Sequence, residues 1–232
     1  MRPRSMRPVL AGLAAFFRAA LDIMDVLIDP RSRPMGYYLR VLTPSQESVP
    51  ASLLAAKLRS AKLTVNAGSD EQWDELLLAH PDGRDIAVIE RNVVADGSMA
   101  AEELEEFSEE LAEARPATGA AWVRDYLPRV RTIYAIQVLR GAYESDGWDA
   151  IGAIKNALWG RLDGIIQADS EGFTNEDGYH VVWQFSDKAS GPWWMGVLRD
   201  DAWVHFEMAL GDAAQREHFL RGEVPPGARV AG

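Results

Sequence analysis

The 232-residue sequence contains no cysteine and has fewer basic than acidic side chains. Without cysteine, the chain has no disulfides, no thiolate metal ligands and no cysteine nucleophile, and we expect a reducing, cytoplasmic location. The 24 Lys and Arg residues against 35 Asp and Glu residues give a formal charge of −11. This overall charge does not attract nucleic acid or an anionic membrane, so it favours a basic partner or simple solubility.

The sequence also lacks an apolar run that is long enough to span a bilayer. Three arginines precede an apolar run over residues 9–17, as at the start of a secretory signal, but Arg18 and Asp22 interrupt it and no small-residue cleavage site follows. An amphipathic helix over 9–28 fits this pattern better. We therefore expect residues 1–34 to be an amphipathic extension and linker, and we expect no integral membrane segment.

The established catalytic motifs are missing too. There is no phosphate-binding loop, dinucleotide fingerprint or nucleophile elbow. The four histidines do not follow the spacing of a helical metal site; they are His80, His180, His205 and His218. We expect no metal and no cofactor.

Short apolar runs with turn residues between them alternate with segments of helical periodicity, and this pattern predicts an α+β fold. We expect a mainly antiparallel sheet with helices packed on one face. The predicted strands cover 37–42, 63–66, 73–80, 85–92 and 131–139, with further strands in a tryptophan-rich meander over 164–208. The predicted helices begin near 50, 98, 120, 148 and 212. Residues 81–84 are a strong turn signal, so the strands 73–80 and 85–92 should form a hairpin. The fourth helix has Ser145 or Asp146 as its cap, Asp212 caps the last helix, and the apolar stripe of the fourth helix consists of Trp148, Ile151, Ile154, Leu158 and Leu162.

A similarity between the two halves of the sequence predicts an internal duplication. When the chain is shifted by 97 residues, Tyr37 aligns with Tyr134 and Val41 with Val138, and each half continues in a similar order of elements. We therefore expect two α+β repeats, over 35–128 and 129–224. A loose tail over 225–232 is expected to follow them.

A doubled β-α-β-β-β order resembles the vicinal oxygen chelate (glyoxalase-like) superfamily, and a duplicated ferredoxin-like sandwich would give a similar order. In that superfamily, His, Gln and Glu metal ligands lie on the first and last strands. The corresponding strands here offer Tyr37, Tyr38, Arg40, Tyr134 and Gln137, and then Glu90 and Glu207. Neither first strand contains the histidine that usually opens such a site.

The helix predicted over 98–115 is strongly acidic. Glutamates surround its apolar stripe, at positions 102, 103, 105, 106, 109, 110 and 113. Such a surface is typical of a solvated helix face, and the alternative is a docking surface for a basic partner.

Alternation along the meander strands sorts side chains onto two faces. His205 and Glu207 share one face of their strand, and His180 and Gln184 share a face of theirs. If the strands were neighbours in register, these groups would converge. His205, Glu207 and His180 are therefore the candidate acid–base residues, although a polar cross-strand contact is the simpler interpretation.

Two further features of the meander suggest ligand binding. The loop over 170–178 contains Glu171, Asn175, Glu176 and Asp177, which are also the residue types that turns select. Trp194 and Trp203 are candidates for an aromatic wall, with core packing as the alternative. Gln184 completes the set of candidate ligand-binding residues.

The sequence carries three hypotheses about function. The first is a non-enzymatic binding or protein-interaction module, which recognises an unidentified protein or a small molecule. The alternative is an enzyme, or degenerate enzyme, with a His/carboxylate pocket on the polar face of the meander. A weaker alternative is an acidic inhibitor or immunity-type protein, which only the net charge supports.

Overall fold

A computed structural model describes residues 36–144 and 146–231, which divide into two compact units. Unit 1 contains Glu110–Asp125 and 170–231, and unit 2 contains 36–109 and Tyr126–Asp169. The extension predicted over 1–34 lies outside the described residues. So does Ser145, one of two candidate caps for the helix that follows it.

Unit 2 contains a six-stranded antiparallel sheet in the order β6-β1-β5-β4-β3-β2. Its strands are β1 (Tyr38–Thr43), β2 (Lys62–Gly68), β3 (Trp73–Ala79), β4 (Asp85–Val93), β5 (Thr132–Val138) and β6 (Ile165–Ala168). The predicted hairpin of β3 and β4 is confirmed. Its turn closes with a 3.0 Å hydrogen bond from Gly83 N to the His80 carbonyl oxygen, and Gly83 has the positive φ that such a turn requires.

Helices cover both faces of β1. The described helices are α1 (Ala51–Ala55), α2 (Met99–Glu110), α3 (Ala117–Tyr126), α4 (Gly147–Leu162) and α5 (Ala213–Leu220). The apolar stripe predicted for α4 is entirely buried: Trp148, Ile151, Ile154, Leu158 and Leu162. Thr43 Oγ1 donates to the Leu162 carbonyl oxygen at the end of α4, whereas Arg40, which points to the other face, contacts α2.

Unit 1 contains five strands in the order β11-β10-β9-β8-β7. They are β7 (Gly172–Thr174), β8 (His180–Trp183), β9 (Pro192–Arg199), β10 (Ala202–Ala209) and β11 (Arg229–Val230). Asp200 and Asp201 both have positive φ in the two-residue loop that joins β9 to β10, as a tight hairpin with right-handed strand twist requires. The hydrophobic core of unit 1 includes Trp193, Met195, Phe206, Met208 and Phe219.

The expected α+β class and mainly antiparallel pairing are confirmed, and the duplication is not. In the alignment at a shift of 97 residues, β6 would correspond to β2. However, β6 pairs with β1, whereas β2 pairs with β3. The meander is also not antiparallel throughout, because β8 and β9 meet in a parallel bridge. The predicted division into 1–34, 35–128, 129–224 and 225–232 remains a prediction. Among the described residues, we find no helix of the length and apolarity needed to cross a membrane.

Candidate binding site

The hairpin of β9 and β10 separates a core face from a face that is only half buried. Phe206 and Met208 point into the core of unit 1 beside Met195 and Trp193, their register partners. The alternate residues of β10, which are Trp203, His205 and Glu207, are half buried and lie opposite Leu198, Gly196 and Trp194. The alternation predicted for β10 is therefore correct.

Aromatic rings are concentrated on this second face. The Tyr179 and His205 rings are stacked, with centroids 3.5 Å apart and planes inclined by 2°. The Trp194 ring meets Tyr179 edge-on at 6.0 Å, and Trp122 from α3 meets Trp203 edge-on at 5.2 Å. We call these five residues, Trp122, Tyr179, Trp194, Trp203 and His205, the aromatic face.

A glycine lies next to the stack. Gly196 lies opposite His205 in the hairpin and has no side chain to separate the two rings from the sheet. A Cβ atom at this position would lie 3.4 Å from His205 Cδ2, from Tyr179 Cβ and from Val181 Cγ1. These would be ordinary van der Waals contacts, so the backbone at Gly196 lies close to both stacked residues.

Burial keeps both stacked rings uncharged near neutral pH. It lowers the pKa of His205, against a smaller opposing effect of the Asp177 carboxylate. Burial also raises the pKa of the Tyr179 hydroxyl, and the Asp177 carboxylate raises it further. The His205 Nε2 atom is buried and has no hydrogen-bond partner among the described residues. This nitrogen of a neutral imidazole donates or accepts one hydrogen bond, depending on the tautomer.

An arginine of the chain itself occupies the edge of the aromatic face. Arg229, from β11, pairs with Glu207 in the sheet and donates a side-chain hydrogen bond to the Glu207 carboxylate. Its guanidinium carbon lies 5.1 Å from the centroid of the Trp194 ring. Trp194 and Glu207 therefore supply the two elements of a cation site, an aromatic ring and a carboxylate.

The expected convergence of His180 with His205 is wrong. His180 pairs with Met195, so it points to the core face, whereas His205 lies opposite Gly196 and points to the aromatic face. The His180 Nε2–H donates to the Glu171 carbonyl oxygen over 2.9 Å, and burial lowers the pKa of His180 to about 4. The register of β8 against β9 determines that His180 and His205 lie on opposite faces of the sheet. Alternation within each strand alone does not predict this register.

The other candidate ligand-binding residues contribute no ring to the aromatic face, although the Asp177 carboxylate is near enough to raise the pKa values of His205 and Tyr179. Gln184 Nε2 donates to a Glu110 carboxylate oxygen over 3.4 Å. Asn175 Oδ1 accepts from the backbone N–H groups of Asp177 and Tyr179, at 3.2 and 2.9 Å, so it shapes the turn before β8. Glu171 is buried, and Glu176 has a buried carboxylate oxygen that finds no hydrogen-bond partner within the described part of the chain. Ligand binding by these residues remains a prediction.

Sequence reasoning missed the role of Arg229 and a partly buried cluster around Arg40 in unit 2. Arg40 donates to Glu103, Gln167 and Asp169 over 2.6, 2.7 and 2.6 Å. Its guanidinium also lies 5.6 Å from the Phe107 ring centroid. An arginine inside an apolar strand was the available signal for this cluster. Arg229 gave no signal, because the segment after Pro225 lacks strand periodicity.

The described residues contain no group of three or more His, Asp or Glu side chains that could hold a metal ion. No protein-family model matches the sequence, and comparisons with curated proteins and with solved structures give no match. The residues of the site itself are therefore the basis for inferring a function.

Proposed function

We propose that this protein is a non-enzymatic binding module that recognises an arginine-containing partner through the aromatic face and Glu207. The observation that carries the proposal is the position of Arg229, over Trp194 and in contact with Glu207. A site that accommodates an arginine of its own chain has the chemistry to accommodate one from a partner.

The energetics favour arginine over lysine at this position. A planar guanidinium can stack on an indole ring while its N–H groups donate to a carboxylate, and a lysine ammonium lacks this planar fork. A cation over an aromatic ring contributes about 0.5–1 kcal/mol when it is exposed and about 2 kcal/mol when it is desolvated. Trp194 is half buried and the side chain of Glu207 is 24% exposed. We therefore expect a cation bound between them to contribute an energy between these two values.

The aromatic face adds contact area next to this cation site. Trp203, His205 and Trp194 are half buried, and they lie outside the core of unit 1. Trp and Tyr are the residue types that most often dominate binding energy at protein interfaces. The formal charge of −11 also favours a basic partner.

The alternative of an acid–base enzyme has less support. Glu207, the carboxylate predicted to assist His205, is already paired with Arg229. His180, the other candidate base, lies on the opposite face of the sheet. The weaker hypothesis, an inhibitor of a basic protein, would use the same cation site and is one form of the binding module proposed here.

Titration with a hexa-arginine peptide, followed by tryptophan fluorescence, tests the proposal. We expect the Arg229→Gln protein to bind more tightly than the unmodified protein, because the substitution removes the competing guanidinium. Adding Trp194→Leu or Glu207→Gln to Arg229→Gln should weaken binding by about tenfold, as for one charge-assisted contact. Hexa-citrulline, which is uncharged, should bind much less tightly.

Arg221→Gln is the matched control. Arg221 is an exposed arginine of unit 1 that contacts Glu217 and Glu223 rather than the aromatic face. This variant should bind hexa-arginine as the unmodified protein does. Equal affinity in the Trp194→Leu and Glu207→Gln variants would refute the proposed site.

A further inference from the structure

Strand β11 lies on the edge of β10 but makes few contacts there. It pairs with two of the eight residues of β10, Phe206 and Glu207. One more hydrogen bond, of 2.8 Å, runs from Ala231 N to the His205 carbonyl oxygen. Both residues of β11 are exposed, and 54% of the Val230 surface is accessible. A strand this short is held by few interactions and is readily displaced.

We propose that β11 is an internal substitute for an extended, arginine-containing segment of a partner protein, which replaces β11 on the edge of β10. This inference depends on the proposed function and adds the mode of binding and its regulation. In this mode, backbone hydrogen bonds to the strand edge give affinity and alternate side chains give specificity. While β11 is in place, it inhibits binding by occupying the site.

The register specifies the partner sequence. Arg229 lies opposite Glu207, whose side chain is on the same side of the sheet as the aromatic face. The partner therefore needs an arginine at the position of Arg229. The next residue, opposite Phe206, corresponds to the exposed Val230 and is less restricted. In the described part of the chain, Ala202–Val204 pair with no strand on this side, and Asp200 and Asp201 precede them. A longer partner segment would pair there, and further basic residues would suit the two aspartates.

A variant of the full chain tests this inference. Ala231→Pro removes the N–H that donates to His205, whereas Ala231→Ser, the control, retains it. The probe is the peptide GARVAG, which has the sequence of residues 227–232, and calorimetry measures its binding. We expect GARVAG to bind the Ala231→Pro protein about fivefold more tightly than the unmodified protein, as the loss of one competing hydrogen bond predicts. The Ala231→Ser protein should bind like the unmodified protein.

A second peptide separates strand addition from simple arginine capture. It is GARVAG with a methyl group on the backbone nitrogen of its second alanine, the position of Ala231. If the peptide adds as a strand, N-methylation should weaken its binding to the Ala231→Pro protein at least fivefold, since one backbone hydrogen bond is lost. Equal binding of both peptides would overturn strand addition and leave arginine recognition intact.

Two further outcomes bear on the proposals separately. If the Ala231→Pro and unmodified proteins bind GARVAG equally, β11 is not an inhibitor. If light scattering shows that the unmodified protein dimerises and that Ala231→Pro abolishes the dimer, β11 pairs with a second copy and the intramolecular role is wrong. The proposed function itself fails only if hexa-arginine binding is independent of Trp194 and Glu207.

Discussion

Burial determines the charge state of His180, one of the candidate acid–base residues. Its imidazole lies in the core of unit 1, 4.7 Å from the Phe185 ring centroid, and donates a hydrogen bond to a carbonyl oxygen. Burial lowers its pKa to about 4, so the ring stays neutral in the folded protein well below pH 6.5. His180 is therefore a neutral donor within the core, and an acid–base role for it remains a prediction.

This burial predicts a loss of stability in mild acid. The unfolded chain takes up a proton at His180 near pH 6.5, whereas the folded protein does so only near pH 4, so stability falls as the pH decreases between these values. Between about pH 7 and about pH 5, His180 should lower the free energy of unfolding by about 2 kcal/mol. The measurement is urea denaturation at several pH values.

Two variants separate this effect from other titrations. His180→Gln should flatten the dependence on pH, and His218→Gln, which changes a more exposed histidine of the same unit, should retain it. If the His180→Gln protein does not fold, NMR titration of the unmodified protein gives the same information. Protonation of His180 above pH 6 would contradict the prediction.

At the scale of elements, Arg40 connects α2 to the strands beneath it. One guanidinium on β1 donates to Glu103 of α2, to Gln167 of β6 and to Asp169 just beyond β6. Glu103 is therefore one acidic residue of α2 with a structural role. Glu102, Glu105, Glu106 and Glu109 are exposed and form the solvated face that the sequence predicts. Whether these glutamates also bind a partner remains a prediction.

We expect Arg40→Leu to destabilise the protein by about 2–3 kcal/mol. The loss is smaller than for a fully buried pair, because Glu103 and Asp169 are partly exposed and water can solvate their carboxylates. Arg161→Leu is the control, because its ion pair with Glu47 is exposed and should contribute less than about 1 kcal/mol. Urea denaturation measures both variants. Equal losses would show that the Arg40 cluster is no stronger than a surface ion pair.

At the scale of the whole molecule, the excess of acidic residues predicts that partner binding depends on salt. The formal charge of −11 attracts a cationic peptide over distances that exceed the contact itself. The Debye length falls from about 10 Å at 0.1 M salt to about 3 Å at 1 M, so hexa-arginine should bind progressively less tightly over this range. The affinity for hexa-citrulline should change little with salt. Titrations of both peptides at several NaCl concentrations measure the two affinities. Salt-independent binding of hexa-arginine would argue against an electrostatic role.

Local patterns in the sequence predicted the elements well. The α4 stripe, the β3–β4 hairpin and the alternation of β10 each depend on neighbouring residues, so periodicity and turn residues were sufficient. The half-buried face with Trp194, Trp203, His205 and Glu207 was accessible to the same reasoning. Asp212 was also predicted correctly as a helix cap, since its carboxylate accepts from the backbone N–H groups of Ala214 and Gln215.

Pairing between distant segments could not be predicted in the same way. The bridge between His180 and Met195 sets which face His180 occupies, and no residue near either position specifies that register. β11 is a strand because it lies against β10, and its two residues are too few to give an alternating pattern in the sequence. The sequence therefore predicted several residues of the site, but it did not predict that the Arg229 guanidinium would lie there.

The position of β1 has a consequence for how the chain folds during synthesis. This strand is hydrogen-bonded on one side to β5 and on the other to β6, and Tyr38 pairs with Gln137 while Leu42 pairs with Ile165. Ribosomes add about 5–20 residues per second, so β1 emerges several seconds before either neighbour exists. During that interval the apolar segment of β1 has neither of its two partner strands, so we expect it to be exposed to aggregation or to chaperone binding until β5 and β6 emerge.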